Sequence, residues 1–283
     1  MKLQHIAAFS GGSDGGNPAG VVICDDLPTP EVMKKVAADV GYSETVFAAP
    51  VGERWRVRYF APEVEVDFCG HATIALGAAL ARRDGSGLFA LDLNRASITV
   101  EGRSSETEWS ASFLSPPTHS DPVAASVLEQ ALALFNLTEA DLDMRIPPAI
   151  ANGGGDHLVL ALNSRKALQD MSYDFETGKA LAEQEGLVTF DLIHAETTRI
   201  FHARNPFPCG GVYEDPATGA AAAALAGYLR DIGWLREGEI GIRQGEDMGI
   251  PCRLEAEIPD ERGAGVRVSG SARMIREPQI LDF

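Results

Sequence analysis

Apolar and polar residues alternate with a period of two, or form short apolar runs, through residues 3–9, 21–24, 55–60, 88–93, 96–101 and 109–114, which predicts strands. Further strands are expected at 156–162, 187–193, 199–203, 239–244, 252–258 and 265–269. Helical patterns occupy 30–40, opened by Thr29-Pro30-Glu31 and stopped by Gly41, then 71–82, 123–135, 175–185 and 220–232. Two of these helices, 71–82 and 220–232, consist largely of small apolar residues, a composition that suits a helix wrapped closely by a curved sheet. Residues 10–20 form a Gly-rich loop without the spacing of a dinucleotide or P-loop cradle, and read as a surface loop or pocket rim. Ser115-Pro116-Pro117 and Asp121-Pro122 punctuate the middle of the chain and mark a lobe boundary. The expected organisation is an N-terminal lobe over 1–118 and a C-terminal lobe over 119–283, with about ten last residues able to return to the first lobe.

The small-residue helices are each preceded by a polar turn, Phe68-Cys69-Gly70-His71-Ala72-Thr73 and Glu214-Asp215-Pro216-Ala217-Thr218-Gly219. Each turn brings backbone close to a ligand and aims the first free N–H groups of a helix at it. Laying Cys69-Gly70 on Thr218-Gly219 also superposes Leu76 on Leu225, at an offset near half the chain, which points to an internal duplication. Two similar lobes would then grip a small carboxylate with helix N-termini from both sides.

Composition narrows the function classes. A chain of 283 residues can bury an ample core in one large domain or two ordinary ones. A formal charge of −17 without a basic cluster argues against nucleic acid or an anionic membrane as partner. No signal peptide or membrane span is recognisable, so a cytoplasmic protein is expected. Cys24, Cys69, Cys209 and Cys252 are widely spaced, and the histidines show no HxxxH or HxH pairing, so neither a disulfide framework nor a metal site is expected.

The candidate chemistry lies around the turns. Glu44 sits between hydroxylated residues and an apolar stretch, where a desolvated carboxylate could shuttle a proton; on local sequence alone an exposed turn carboxylate is the stronger reading. His71 at a helix start could orient a substrate or exchange protons, or simply bond to backbone. Asp215 could cap its helix or bind a substrate amino or hydroxyl group. A thiol at a helix N-terminus, as at Cys69, can act as a base. The equivalent position in the second turn is Thr218, which disfavours a symmetric two-thiol mechanism.

Taken together, Asn17-Pro18, Gly41-Tyr42-Ser43-Glu44-Thr45, the Cys69-to-Thr73 turn, the Glu214-to-Gly219 turn and Gln244-Gly245 resemble the PhzF family of phenazine-biosynthesis-like isomerases, in order and over nearly the whole chain. The resemblance implies an α+β, diaminopimelate epimerase-like fold: two pseudo-symmetric lobes, each a barrel-like sheet around a central helix, usually in a homodimer. It implies Glu44 as the acid/base carboxylate with His71 and Asp215 as further catalytic residues. Asn17, Ser43, Gly70, Thr218, Gly219 and Ala220 are the implied substrate-binding positions, several through backbone N–H groups. The implied reaction is a proton transfer within a small carboxylate, as in trans-2,3-dihydro-3-hydroxyanthranilate isomerisation, with no cofactor and no metal. Three departures bear on the substrate: Ala220 stands where the family often has Ser, Ile250-Pro251-Cys252 where it has Arg-Pro-Ser, and an insertion covers residues 205–209. The alternatives are an epimerase, racemase or dehydratase working through Cys69, and a non-catalytic small-carboxylate-binding protein.

Overall fold

The computed structural model describes residues 1–281 and divides into two compact units. Unit one comprises Met1–Leu114 together with residues 269–281, and unit two comprises Ser115–Val268.

Unit one begins with β1 (Lys2–Ala8) and β2 (Asn17–Ile23), then α1 (Pro30–Val40), β3 (Glu44–Val51), β4 (Arg54–Phe60) and the two-residue β5 (Glu65–Val66). It continues with α2 (Gly70–Asp84), β6 (Gly87–Asp92), β7 (Ser97–Ser104) and β8 (Trp109–Pro117). The long C-terminal strand Gly265–Ile280 supplies the last piece, pairing antiparallel with β1 from Lys2↔Ile280 to Ala8↔Ala272. Strand pairings run β1–β2 antiparallel, β2–β3 parallel, β3–β4 antiparallel, β4–β6 parallel, then β6–β7 and β7–β8 antiparallel. The pairing of β8 with the C-terminal strand closes the ring at eight strands.

A helix threaded through so small a ring must be thin. Every residue of α2 from His71 to Ala81 is buried, and its residues are mostly Ala, Gly and Leu. At Gly102 on β7, an added Cβ would lie 2.2 Å from the Gly77 carbonyl oxygen, so helix and strand meet backbone to backbone. Buried Tyr59 and Phe113 add to the interior of the ring, and the exposed Phe68 packs edge-on against both. A second apolar cluster, with Leu3, Val22, Met33, Val36 and Phe47, seats α1 on the outer face of the sheet.

Unit two contains β9 (His119–Pro122), α3 (Ala125–Leu134), β10 (Ala149–Asn152), β11 (Asp156–Ala161), α4 (Arg165–Gln169) and α5 (Phe175–Glu185). Next come β12 (Thr189–Ala195), β13 (Ile200–Phe207), β14 (Val212–Asp215), α6 (Gly219–Asp231), β15 (Gly238–Gln244) and β16 (Cys252–Ile258). Its pairings repeat those of unit one step for step: β10–β11 antiparallel, β11–β12 parallel, β12–β13 antiparallel, β13–β15 parallel and β15–β16 antiparallel. The short side strand recurs too, β14 on β13 where unit one has β5 on β4. In this repeat α6 takes the place of α2, buried from Ala221 to Arg230 and equally small in its residues. Each unit is thus a curved sheet around a small-residue helix, and the duplication read from two turns extends to the strand order.

Several boundaries move. β2 starts at Asn17 rather than at Val21, because the Asn17-Pro18 pair continues the ladder opposite Ala8 and Ala7. The proline-marked segments at 115–117 and 121–122 are strand and lie just past the unit boundary between Leu114 and Ser115: β8 runs to Pro117 and β9 ends at Pro122. Proline lacks only the donor, so it is tolerated at strand ends where no ladder bond needs that N–H. The short β10 and α4 fall below the length at which periodicity shows. Residues 205–207, within the expected insertion, finish β13. The last strand continues past 269 to Ile280, its polar half lying in ladder register with β1.

Candidate active site

Unit one gathers three chemically different side chains at the N-terminus of α2. Glu44 is the first residue of β3, paired in parallel with Ala19 of β2, two residues after the buried Asn17. Glu44 Oε2 lies 3.5 Å from His71 Nε2, and Ser43 Oγ lies 3.4 Å from the same nitrogen. The other face of the imidazole meets Cys69, whose Sγ is 3.3 Å from Nδ1. His71 and Cys69 are buried and Glu44 is partly so.

The remaining letters of the Cys-Gly-His-Ala-Thr motif hold this group in place. Thr73 Oγ1 donates to the Cys69 carbonyl at 2.7 Å, so its own lone pair is left to accept the Tyr59 hydroxyl, also at 2.7 Å. Tyr59 is wholly buried, and burial pushes its phenol well above the usual range, so it stays a neutral donor. Cys69 is the N-cap of α2 with extended backbone and no side-chain cap. The first intrahelical bond runs from Thr73 N to Cys69 O, which leaves the amides of Gly70, His71 and Ala72 at the helix mouth as donors for an anion.

Unit two builds the second turn differently. The Asp215 carboxylate accepts the Thr218 hydroxyl at 2.7 Å, an internal brace for the turn that opens α6. Gln244, at the end of β15, clamps the same turn: Oε1 accepts from Thr218 N at 3.1 Å, and Nε2 donates to the Asp215 carbonyl at 2.7 Å. Its neighbour Gly245 has φ +74°, and a Cβ there would strike the Ile250 and Pro216 carbonyl oxygens. The Gln-Gly doublet therefore exists to hold the Asp-Pro turn, the physical link between two motifs that look unrelated in sequence. Behind α6's first bond, Ala222 N to Thr218 O, the amides of Gly219, Ala220 and Ala221 form the donor set. Ala220 offers only its backbone.

Glu214 points away from this donor set and pairs with buried Arg204, Nε to Oε1 at 3.0 Å. Arg204 also bonds the carbonyls of Gln169 and Met171, which ties β13 and β14 to the segment after α4. Stacked Tyr173 and Tyr213 reinforce the tie, with Tyr173 N donating to the Tyr213 hydroxyl.

A buried polar chain absent from the sequence expectations leads up to Asp215. The Thr189 hydroxyl donates to Asn205 Oδ1 at 2.8 Å, so His157 Nδ1, 2.7 Å away, must be the protonated nitrogen that donates to Thr189. Asn205 Nδ2 donates onward to Asp191 Oδ1 at 2.9 Å, and Asn205 is the ladder partner of Asp215. Burial pushes the Asp191 carboxyl up to about 7, partly offset by Asn205, and pushes His157 down to about 4. A lone carboxylate between Phe190 and Leu192 in an apolar strand was the sequence signal for this chain.

The structure thus brings Ser43, Glu44, Cys69, Gly70 and His71 together in unit one, and Asp215, Thr218, Gly219 and Ala220 together with Gln244 in unit two. Ligand atoms of Glu44, Cys69 and His71 all lie within 4.8 Å of one another, with Cys69 Sγ against Nδ1 of the imidazole and Glu44 Oε2 against Nε2.

A family model for phenazine biosynthesis-like proteins, PhzC-PhzF, matches residues 6–277. An uncharacterised isomerase of Deinococcus radiodurans is 31% identical over 98% of this chain and 93% of its own length. Among solved structures, a PhzF-family phenazine biosynthesis protein of Bacillus anthracis superposes with a TM-score of 0.87 at 22% identity, covering 99% of both chains. A probable proline racemase of Agrobacterium radiobacter shares the fold at a TM-score of 0.67 and 11% identity, covering 99% of this chain and 92% of that one. The match spans both turns and both small-residue helices, and the chain belongs to the PhzC-PhzF family of phenazine biosynthesis-like proteins, as an isomerase.

Proposed function

We propose that this isomerase moves a proton between two carbons of a small carboxylate substrate, with Glu44 taking it from one carbon and returning it to another and without a cofactor. The observation that carries the reading is the placement of Glu44 Oε2 within 3.5 Å of His71 Nε2 at the mouth of α2. There a carboxylate base, an imidazole and free helix amides coincide. The amides of Gly70 and His71 receive the substrate carboxylate, and Gly219 and Ala220 present donors of the same kind at the start of α6. His71, in reach of both Ser43 and Glu44, keeps the carboxylate oriented. The step conserves all atoms: the C–H proton passes to Glu44 Oε2, the electrons delocalise through the adjacent unsaturated system, and the proton returns to a new carbon.

The substrate class resembles dihydro-hydroxyanthranilate in size and charge. A strongly acidic chain with anion donors confined to helix mouths supports a small anionic metabolite over nucleic acid or a membrane surface. The same reading takes the enzyme as a cytoplasmic homodimer, which sedimentation of the purified chain checks. A second reading is favoured by Cys69 Sγ at 3.3 Å from His71 Nδ1: an epimerase or dehydratase in which the thiol, not the carboxylate, attacks the C–H bond.

The test is proton NMR in D₂O with a panel of cyclic and amino-acid carboxylates, dihydro-hydroxyanthranilate included, on wild type, Glu44→Gln and Cys69→Ser. Deuterium incorporation or isomerisation that vanishes in Glu44→Gln and survives in Cys69→Ser supports the proposal. The reverse pattern selects the thiol. Tight binding of a carboxylate with no exchange of its carbon-bound protons in any protein identifies a binding protein instead.

A further inference from the structure

His5 is a fully buried titratable side chain that the proposed reaction does not use. It stands on β1, and its Nδ1 lies 3.1 Å from Arg276 Nη2 on the C-terminal strand. A guanidinium can only donate, so Nδ1 accepts and the imidazole is the neutral Nε2–H tautomer. Burial, and after it the Arg276 charge, lower the His5 pKa from its ordinary value, with Gln279 opposing in part, which agrees with a neutral ring. That ring meets Tyr42 edge to face, with centroids 5.6 Å apart and planes at 88°. Tyr42 lies in the short link between α1 and β3. Gly41 ends α1 in the left-handed region, its N–H donating to the Ala37 carbonyl, and β3 begins at Glu44. With only residues 41–43 in the link, the place where Tyr42 is pinned decides where Glu44 enters the sheet.

Strand register leads to the same residue. His5 pairs with Gly20 of β2, and Gly20 pairs with Thr45 of β3, so the three form one row across three strands. A Cβ on Gly20 would lie 2.6 Å from Thr45 Oγ1, so the glycine leaves the room that the threonine fills. Thr45 is wholly buried there, and alternation along β3 sends Glu44 to the opposite face, where it meets His71.

We propose that His5, oriented by Arg276, is a positioning residue for Glu44: it anchors Tyr42 and so sets the 3.5 Å approach of the Glu44 carboxylate to His71. The returning C-terminal strand thereby reaches the candidate base through two aromatic rings. The catalytic consequence rests on the reading of Glu44 above, and the anchoring stands without it.

Long-range ¹H–¹⁵N spectra of the ¹⁵N-labelled full chain, taken at fixed pH, read the anchoring through the histidine side chains. Glu44→Gln defines how the His71 signals move when the carboxylate contact is lost. Tyr42→Ala and His5→Ala are expected to move them in the same direction, whereas Tyr42→Phe, which keeps the ring, leaves them in place. The His5 signals are expected to show the Nε2–H tautomer. Tyr42 is only partly buried, so Tyr42→Ala keeps the fold and decides the matter even where His5→Ala does not fold. In the D₂O assay, on a carboxylate whose exchange Glu44→Gln abolishes, Tyr42→Ala should lower kcat by about 10² with KM little changed, the cost of a base displaced by about an ångström. His71 signals that stay at their wild-type positions in Tyr42→Ala overturn the anchoring, whatever the activity. An Nδ1–H tautomer at His5 overturns the part given to Arg276. Wild-type exchange in a Tyr42→Ala protein whose His71 signals have moved overturns Glu44 as the base and leaves the anchoring in force.

Discussion

At the level of single residues, the family motifs divide into atoms that face the helix mouths and atoms that hold them there. Glu44 and His71 are the first kind. On the proposed proton transfer, Glu44→Gln is expected to lower turnover by about 10²–10⁴, the usual worth of a positioned acid/base group. The midpoint of urea unfolding should stay within experimental error of wild type, and a large shift would assign Glu44 a structural role. Thr73 is the second kind. Thr73→Val removes the donor to the Cys69 carbonyl and strands the buried Tyr59 hydroxyl, which should cost about 1–3 kcal/mol in urea unfolding, and Tyr59→Phe in the same background should recover part of it.

The His157–Asp191 chain gives a pH test with opposite signs in two variants. Asp191 has a folded pKa near 7, raised by burial, so its contribution to stability is full at acid pH and is lost between about pH 4 and 7. His157 has a folded pKa near 4, lowered by burial, so its contribution is absent at acid pH and is gained between about pH 4 and 6.5. The two slopes nearly cancel in the wild type. Asp191→Asn should therefore gain stability relative to wild type between pH 4.5 and 6.5, and His157→Gln should lose it, each by roughly 2–3 kcal/mol at 1.36 kcal/mol per proton and pH unit. Urea titrations at the two pH values read both differences; parallel behaviour of the variants would mean that the groups do not titrate as this chain requires.

At the level of elements, the small-residue helices were readable from composition, because only Ala and Gly let a helix pass inside so tight a sheet. The reason is visible at Gly102, where β7 touches the Gly77 carbonyl. Gly102→Ala places a methyl group on backbone that cannot swing aside, and should destabilise by about 1–3 kcal/mol or more through overpacking. Leu88→Ala on neighbouring β6, at 72% exposure, should change the melting temperature little. Turn elements were legible where a special residue stood at the right place, as at Thr29-Pro30 and Gly41. The loop reading of residues 10–20 missed that Pro18 continues the β2 ladder opposite Ala7, and Pro116, Pro117 and Pro122 stand within strands beside the unit boundary they mark.

At the level of the whole molecule, the C-terminal strand carries the largest consequence. Residues 272–280 pair with β1 along its length, so unit one lacks an edge only because the chain returns to it. Ending the chain after residue 269 leaves β1 unpaired on that side, and the truncated protein should fail to give a cooperative unfolding transition by circular dichroism. The net charge of −17 acts at the same scale, favouring solubility.

The residues alone determined the class of fold and the two helix-opening turns with their duplication, and offered Glu44, His71 and Asp215 as candidates through the family motifs in which they stand. These are local patterns, or motifs whose spacing survives in one dimension. The partners of those residues came from the fold. That Gln244 braces the Asp215 turn, that Arg204 rather than substrate holds Glu214, and that Asn205 links Asp215 to Asp191 depend on strands brought side by side from 10 to 30 positions away. Strand register, which no single segment encodes, sets those contacts, because pairing energy is shared between two segments and closes only when the whole ring does.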